Sequence, residues 1–200
     1  MAVVAGRDAE ELFRALASEL ERADSALLEP CVIGGTALMM LGLADRPTKD
    51  IDVVALADST SGALRVRTAK PLPDALLTAV RAVAVQFAIE PTWLNAGPAD
   101  LVDWGLPEGF AQRLMAVEYG HALRVHFASR VDQICFKAYA AADVAGRHLT
   151  DLIALSPTED EMELAFRWAV TQDPSAGFRL QVAGLADYLE VRHVLDRIAG

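Results

Sequence analysis

The sequence predicts an α+β protein: a small mixed sheet flanked by helices, with a helical region at its C-terminal end. Three observations carry this. Residues 31–56, CVIGGTALMMLGLADRPTKDIDVVAL, read as strand, glycine turn, helix, polar loop and strand. Residues 112–117 and 122–128 read as a hairpin turning at Glu118-Tyr119-Gly120-His121. Beyond Ser129 every periodic segment has helical spacing. On this reading residues 1–128 form the core and 129–200 a helical region packed on it.

The elements follow in order. Leu12, Phe13, Leu16, Ala17 and Leu20 mark one face of an amphipathic helix over 8–23, with acidic residues in its first turn where the helix dipole favours them. Glu29-Pro30 leads into the strand Cys31-Val32-Ile33, which Gly34-Gly35 interrupts. Thr36 to Leu43 suits a helix packed on one side. Pro47 keeps the loop Arg46-Pro47-Thr48-Lys49 non-helical. Asp50 to Leu56 reads as the second strand, and 57–62 as a small polar loop. Arg65, Arg67 and Lys70 form the densest basic cluster, read either as a solvated loop or as a phosphate or RNA contact. Pro73 starts a helix burying Leu76, Leu77, Val80, Val83 and Ala84. Residues 97–110, rich in Pro, Gly and Asp, read as a loop.

Ser129 caps a helix running towards Ala145, with Val131, Ile134, Cys135, Ala138, Tyr139 and Ala142 on one face. Thr158-x-x-Glu161 is a capping-box pattern opening the next helix, which Asp173-Pro174 stops. Residues 176–198 read as the last helical stretches, a terminal helical bundle.

The chemistry concentrates at Asp50-x-Asp52. Side chains at i and i+2 share one face of a strand, so both carboxylates point one way while Ile51 and Val53 enter the core. Two like charges beside an apolar sheet repel, and a divalent cation resolves the conflict. Mg²⁺ suits it, taking one or two carboxylates plus substrate phosphates. Gly34-Gly35 allows a phosphate to approach the backbone closely.

Gly34-Gly35-Thr36 followed by Asp50-x-Asp52 resembles the signature of the DNA polymerase β-like nucleotidyltransferase superfamily. The wider stretch GGTALMMLGLADRPTKDID resembles its AbiEii/MenT toxin branch. The resemblance is tight over 31–56, looser to about residue 155, and absent beyond. It implies a nucleotidyltransferase fold, with Trp93-Leu94-Asn95 as a strand after the second helix. It implies Mg²⁺ on Asp50 and Asp52, and a nucleoside triphosphate cradled by Gly34, Gly35 and Thr36; Arg46 and Thr48, just before the acid pair, are read either as touching the substrate or as loop structure. It further implies Lys137 facing the phosphates and Asp151 completing the pocket. The branch usually carries a basic residue directly before that Asp; here it is Thr150. The bland alternatives are a snorkelling lysine and a helix N-terminal acid. Polymerase-like members often carry a third carboxylate on a later strand, where this chain offers Arg124 and His126. His126 is read as a substitute base or as a surface histidine.

Composition bounds the function. A net charge of −10 argues against a surface coated for nucleic acid. No apolar run is long enough to span a membrane, and Arg7, Asp8, Glu10 and Glu11 interrupt the N-terminal apolar start, so no signal peptide is expected. Cys31 and Cys135 sit in apolar segments, as buried thiols of a reducing cytoplasm do. Alanine and arginine usage suits a high-GC bacterium. The four histidines lack zinc-ligand spacing with either cysteine. The reading is therefore an Mg²⁺-dependent transferase moving a nucleoside monophosphate to an acceptor hydroxyl. By the resemblance that hydroxyl belongs to tRNA or a protein, in a toxin–antitoxin pair with a cognate antitoxin. The alternatives are a degenerate member that binds a nucleotide or protein partner, and a transferase acting on a cationic small molecule.

Overall fold

The computed structural model describes residues 6–44, 47–59 and 62–199. It divides into two compact units, Met1–Ser129 and Arg130–Gly200. The architecture is the α+β one that the sequence predicts.

The first unit is built on a mixed sheet. Strand β1 (Pro30–Ile33) lies between β2 (Ile51–Asp58), antiparallel to it, and β6 (Arg124–Phe127), parallel to it. Strand β5 (Met115–Glu118) forms one edge beyond β6. On the outer side of β2, β3 (Arg65–Thr68) pairs with its last residues and β4 (Leu94–Asn95) with its first.

Helices α1 (Gly6–Arg22) and α3 (Asp74–Phe87) cover one face of this sheet. All five apolar positions read from the 8–23 periodicity are buried there, together with Val32, Ile51, Val53 and Phe127 from the strands. Each large aliphatic side chain so buried contributes roughly 1.5–3 kcal/mol against leaving it in water. Trp93 packs into the same core, and its indole Nε1 donates to the Val80 carbonyl at 3.0 Å, which anchors the entry to β4. Phe13 meets Phe127 edge-on, with ring centroids 5.9 Å apart.

Several expectations change at this level. Asp50 immediately precedes β2 rather than opening it, and β2 runs on to Asp58. Arg65 and Arg67 are not loop residues. They alternate outward on β3, where the strand's pairing with Ala55–Asp58 supplies an order that the polar sequence did not signal. Lys70 pairs with Asp100 at 2.7 Å. The 97–110 segment holds a 3₁₀ turn (Gly97–Asp100) and a short helix α4 (Leu101–Trp104), and α5 (Phe110–Arg113) takes in Gln112 ahead of the hairpin. Helix α2 (Gly34–Met40) is a single short stretch between β1 and the loop to β2.

The second unit is helical: α6 (Arg130–Asp143), α7 (Gly146–Ala154), α8 (Glu159–Gln172), α9 (Ala176–Tyr188) and α10 (Arg192–Ala199). Helix α6 is buried on most sides through its first half, which explains why Asp132, Gln133 and Lys137 are buried beside Ile134 and Cys135. Trp168 of α8 meets Phe136 and Tyr139 of α6 edge-on, and Tyr139 also meets Phe178 of α9. The capping box at α8 is complete: the Thr158 hydroxyl accepts from the Glu161 amide, and the Glu161 carboxylate accepts from the Thr158 amide. The terminal helical stretches are α9 and α10, separated where the chain leaves α9 through Glu190 in the left-handed region, at φ +60. Among the described residues no helix is long and apolar enough to cross a membrane. Cys31 and Cys135 are both buried, and neither is in a disulfide.

Candidate functional site

The site begins where β1 ends. Gly34 adopts φ +76, a conformation that L side chains rarely take. A β-carbon placed on it would stand 3.1 Å from Oδ2 of Asp52. Sheet register produces this approach, because Asp52 on β2 is the antiparallel partner of Ile33, the residue just before the glycine. Ile51 and Val53 go to the core beneath α1 and α3, so alternation along the strand sends Asp52 to the opposite face.

The loop before β2 is tied to α2 through one main-chain atom. The carbonyl oxygen of Asp50 accepts from the hydroxyl of Thr36 at 3.1 Å and from that of Thr48 at 3.3 Å. Both threonines are buried, and their visible work is to fix the position of Asp50. Gly35 lies beside them in α2, half-buried. Arg46 lies outside the described residues.

Asn95 was not among the residues that the sequence singled out for chemistry. It is the residue of β4 directly opposite Asp52, and its Nδ2 donates to Asp52 Oδ1 at 3.3 Å. The sequence placed it only in the strand Trp93-Leu94-Asn95; which residue it faces is set by register and needs the fold to be read.

The donor set suits a hard cation. Asp52 offers a carboxylate here, Asp50 precedes it by two residues just outside the strand, and Gly34 leaves without a side chain the place beside Asp52 Oδ2 that any other residue's β-carbon would fill. Among the described residues no group of three or more His, Cys, Asp or Glu side chains is arranged to hold a metal ion. A pair of carboxylates is nonetheless what Mg²⁺ takes when phosphates complete its shell.

At the other end of the sheet lies a second polar cluster. Glu29, just before β1, is 5% exposed and accepts from Ser59 at 2.7 Å and from Arg124 at 3.2 Å, with His126 Nε2 2.8 Å away. Burial pushes the Glu29 carboxyl up. The hydrogen bonds from His126, Ser59 and Arg124 outweigh it and leave the group below its ordinary range. The expectation of a surface histidine is corrected here: His126 is 3% exposed, because β6 is an interior strand between β1 and β5. Burial, with the Glu29 charge beside it, pushes the Cys31 thiol far up.

In the second unit, Lys137 and Asp151 find each other. Nζ of Lys137 lies 2.6 Å from Oδ2 of Asp151, and both side chains are buried. Lys137 does not snorkel to a helix edge, and Asp151 sits inside α7 rather than at its start.

Set against known proteins, residues 10–151 match a family model described as "Nucleotidyltransferase of unknown function (DUF6036)". No curated protein and no solved structure matches the chain.

Proposed function

Because this chain belongs to the family of nucleotidyltransferases of unknown function, we propose that its first unit transfers a nucleoside monophosphate from a nucleoside triphosphate to an acceptor hydroxyl. The observation that carries the proposal is the approach of the Asp52 carboxylate to the bare α-carbon of Gly34.

Each residue has a part in this scheme. Asp52 and Asp50 hold Mg²⁺, which supplies charge neutralisation on the triphosphate when bound. Gly34 and Gly35 leave the turn without side chains, so phosphate oxygens reach the backbone. Thr36 and Thr48 keep Asp50 in place through its carbonyl oxygen. In the transfer the bond between the α-phosphorus and the bridging oxygen of pyrophosphate breaks. A bond from the acceptor oxygen to the same phosphorus forms, and the hydroxyl proton passes to solvent water. By the resemblance of residues 31–56 to the AbiEii/MenT branch, the acceptor is the end of a tRNA or a protein hydroxyl, and the setting is a toxin with a cognate antitoxin.

For Lys137 and Asp151 we propose the structural role that their buried pairing supports. The resemblance gives them a phosphate-facing role instead.

The test is transfer of label from each α-labelled nucleoside triphosphate to total RNA and total protein. Asp52→Asn should abolish transfer and leave the circular dichroism spectrum unchanged. Undiminished transfer by that variant overturns the scheme. Tight nucleotide binding in calorimetry, without turnover on any acceptor, would favour a binding module instead.

A further inference from the structure

We infer that Asn95 is a positioning residue that fixes the orientation of the Asp52 carboxylate. The inference rests on the metal–nucleotide reading only for its consequence, not for its geometry.

The orientation of an asparagine amide follows from its hydrogen bonds. Here the choice is determined: Oδ1 of Asn95 accepts from the Gly97 amide at 2.7 Å, which leaves Nδ2 to face Asp52. Nδ2 donates to Oδ1 of Asp52, while Oδ2 is the oxygen turned to Gly34. The two carboxylate oxygens thus have different neighbours, one an amide donor and the other the glycine turn. Turning the carboxylate plane away from this setting would stretch the bond from Nδ2, so the amide favours one orientation of the Asp52 side chain.

The backbone delivers Asn95 to this point. Strand β4 is only two residues long, yet both pair with the start of β2, Leu94 with Ile51 and Asn95 with Asp52. The Trp93 carbonyl accepts from the Ile51 amide at 2.6 Å, and the buried Trp93 and Leu94 side chains anchor the strand in the core. An aspartate at 95 would keep the acceptor for Gly97 but could not donate to Asp52. It would also add a third negative charge beside two others. A ligand carboxylate held in this way by an outer partner loses roughly 10–100-fold in metal affinity when the partner is removed.

Asn95 is the only asparagine of the 200 residues, so ¹⁵N-asparagine labelling gives one side-chain amide pair. In the full chain, Asp52→Ala should move this pair and speed its exchange with water. A pair unmoved by Asp52→Ala overturns the inference. In a Mn²⁺ titration followed by electron paramagnetic resonance, Asn95→Leu should bind at least about tenfold more weakly than wild type with its circular dichroism spectrum retained. Binding within about twofold of wild type overturns it. If Asn95→Leu does not fold, Asn95→Ser carries the same expectation and the same overturning result. If wild type takes up no Mn²⁺, the metal reading fails, and the amide pair alone sustains or overturns the positioning role.

Discussion

Asp52 Oδ2 lies 3.1 Å from the position that a β-carbon on Gly34 would occupy, and Gly34 holds φ +76. The glycine is therefore required twice, once for its backbone and once for the carboxylate beside it. Gly34→Ala should destabilise the protein by about 1–3 kcal/mol, the cost of a strained non-glycine backbone. It should also weaken triphosphate binding, by pushing the Asp52 side chain aside. Urea unfolding and nucleotide calorimetry on the variant check both. Unchanged stability and binding would mean that the turn relaxes freely.

The Lys137–Asp151 pair gives a second prediction. Removing one partner of a buried pair takes from the other its opposite charge at 2.6 Å, so Lys137→Met should cost roughly 3–5 kcal/mol. The double variant Lys137→Met/Asp151→Leu should recover most of that loss. Urea unfolding of the single and double variants measures the coupling. If Lys137→Met instead keeps wild-type stability and loses transfer, the phosphate-facing role replaces the structural one.

Glu29 makes stability depend on pH. Its folded carboxyl lies below its ordinary value of 4.5. The stabilisation is therefore fully present above that ordinary value and is lost as pH falls through the lower folded value. Melting temperature should drop as the solution is acidified through this window. Glu29→Gln, uncharged throughout, should be less stable at neutral pH and should show a shallower acid limb. Parallel limbs for the two proteins would show that other carboxylates govern acid unfolding.

The capping box predicts a smaller effect. Thr158→Ala removes the acceptor of the Glu161 amide and should cost about 1 kcal/mol, while Thr158→Ser should be nearly neutral. Thermal melts of the two variants suffice to separate them. Equal losses from both would point to packing of the threonine methyl instead.

Some of this was legible in the chain because the physics is local. Helical spacing gave α1, α3 and α6, since a face recurring every 3.6 residues needs no knowledge of its partner. Thr158 and Glu161 announced their cap at a separation of three. Strand β3 was missed because its outward arginines hide the pairing with β2 that makes it a strand. The surface reading of His126 failed for a related reason: alternation marks one apolar face, and β6 is buried on both.

The sequence by itself determined the glycine turn, the acid pair and the alternation that turns Ile51 and Val53 to the core, because each follows from dihedral freedom or a two-residue period. Only the tertiary structure decided which groups those acids meet. Asn95 reaches Asp52 across 43 residues, Glu29 reaches His126 across 97, and Lys137 is consumed by Asp151 inside a helical unit. Such partners are chosen by strand order and helix packing, which depend on the whole chain closing its core and leave no periodic mark on the residues themselves.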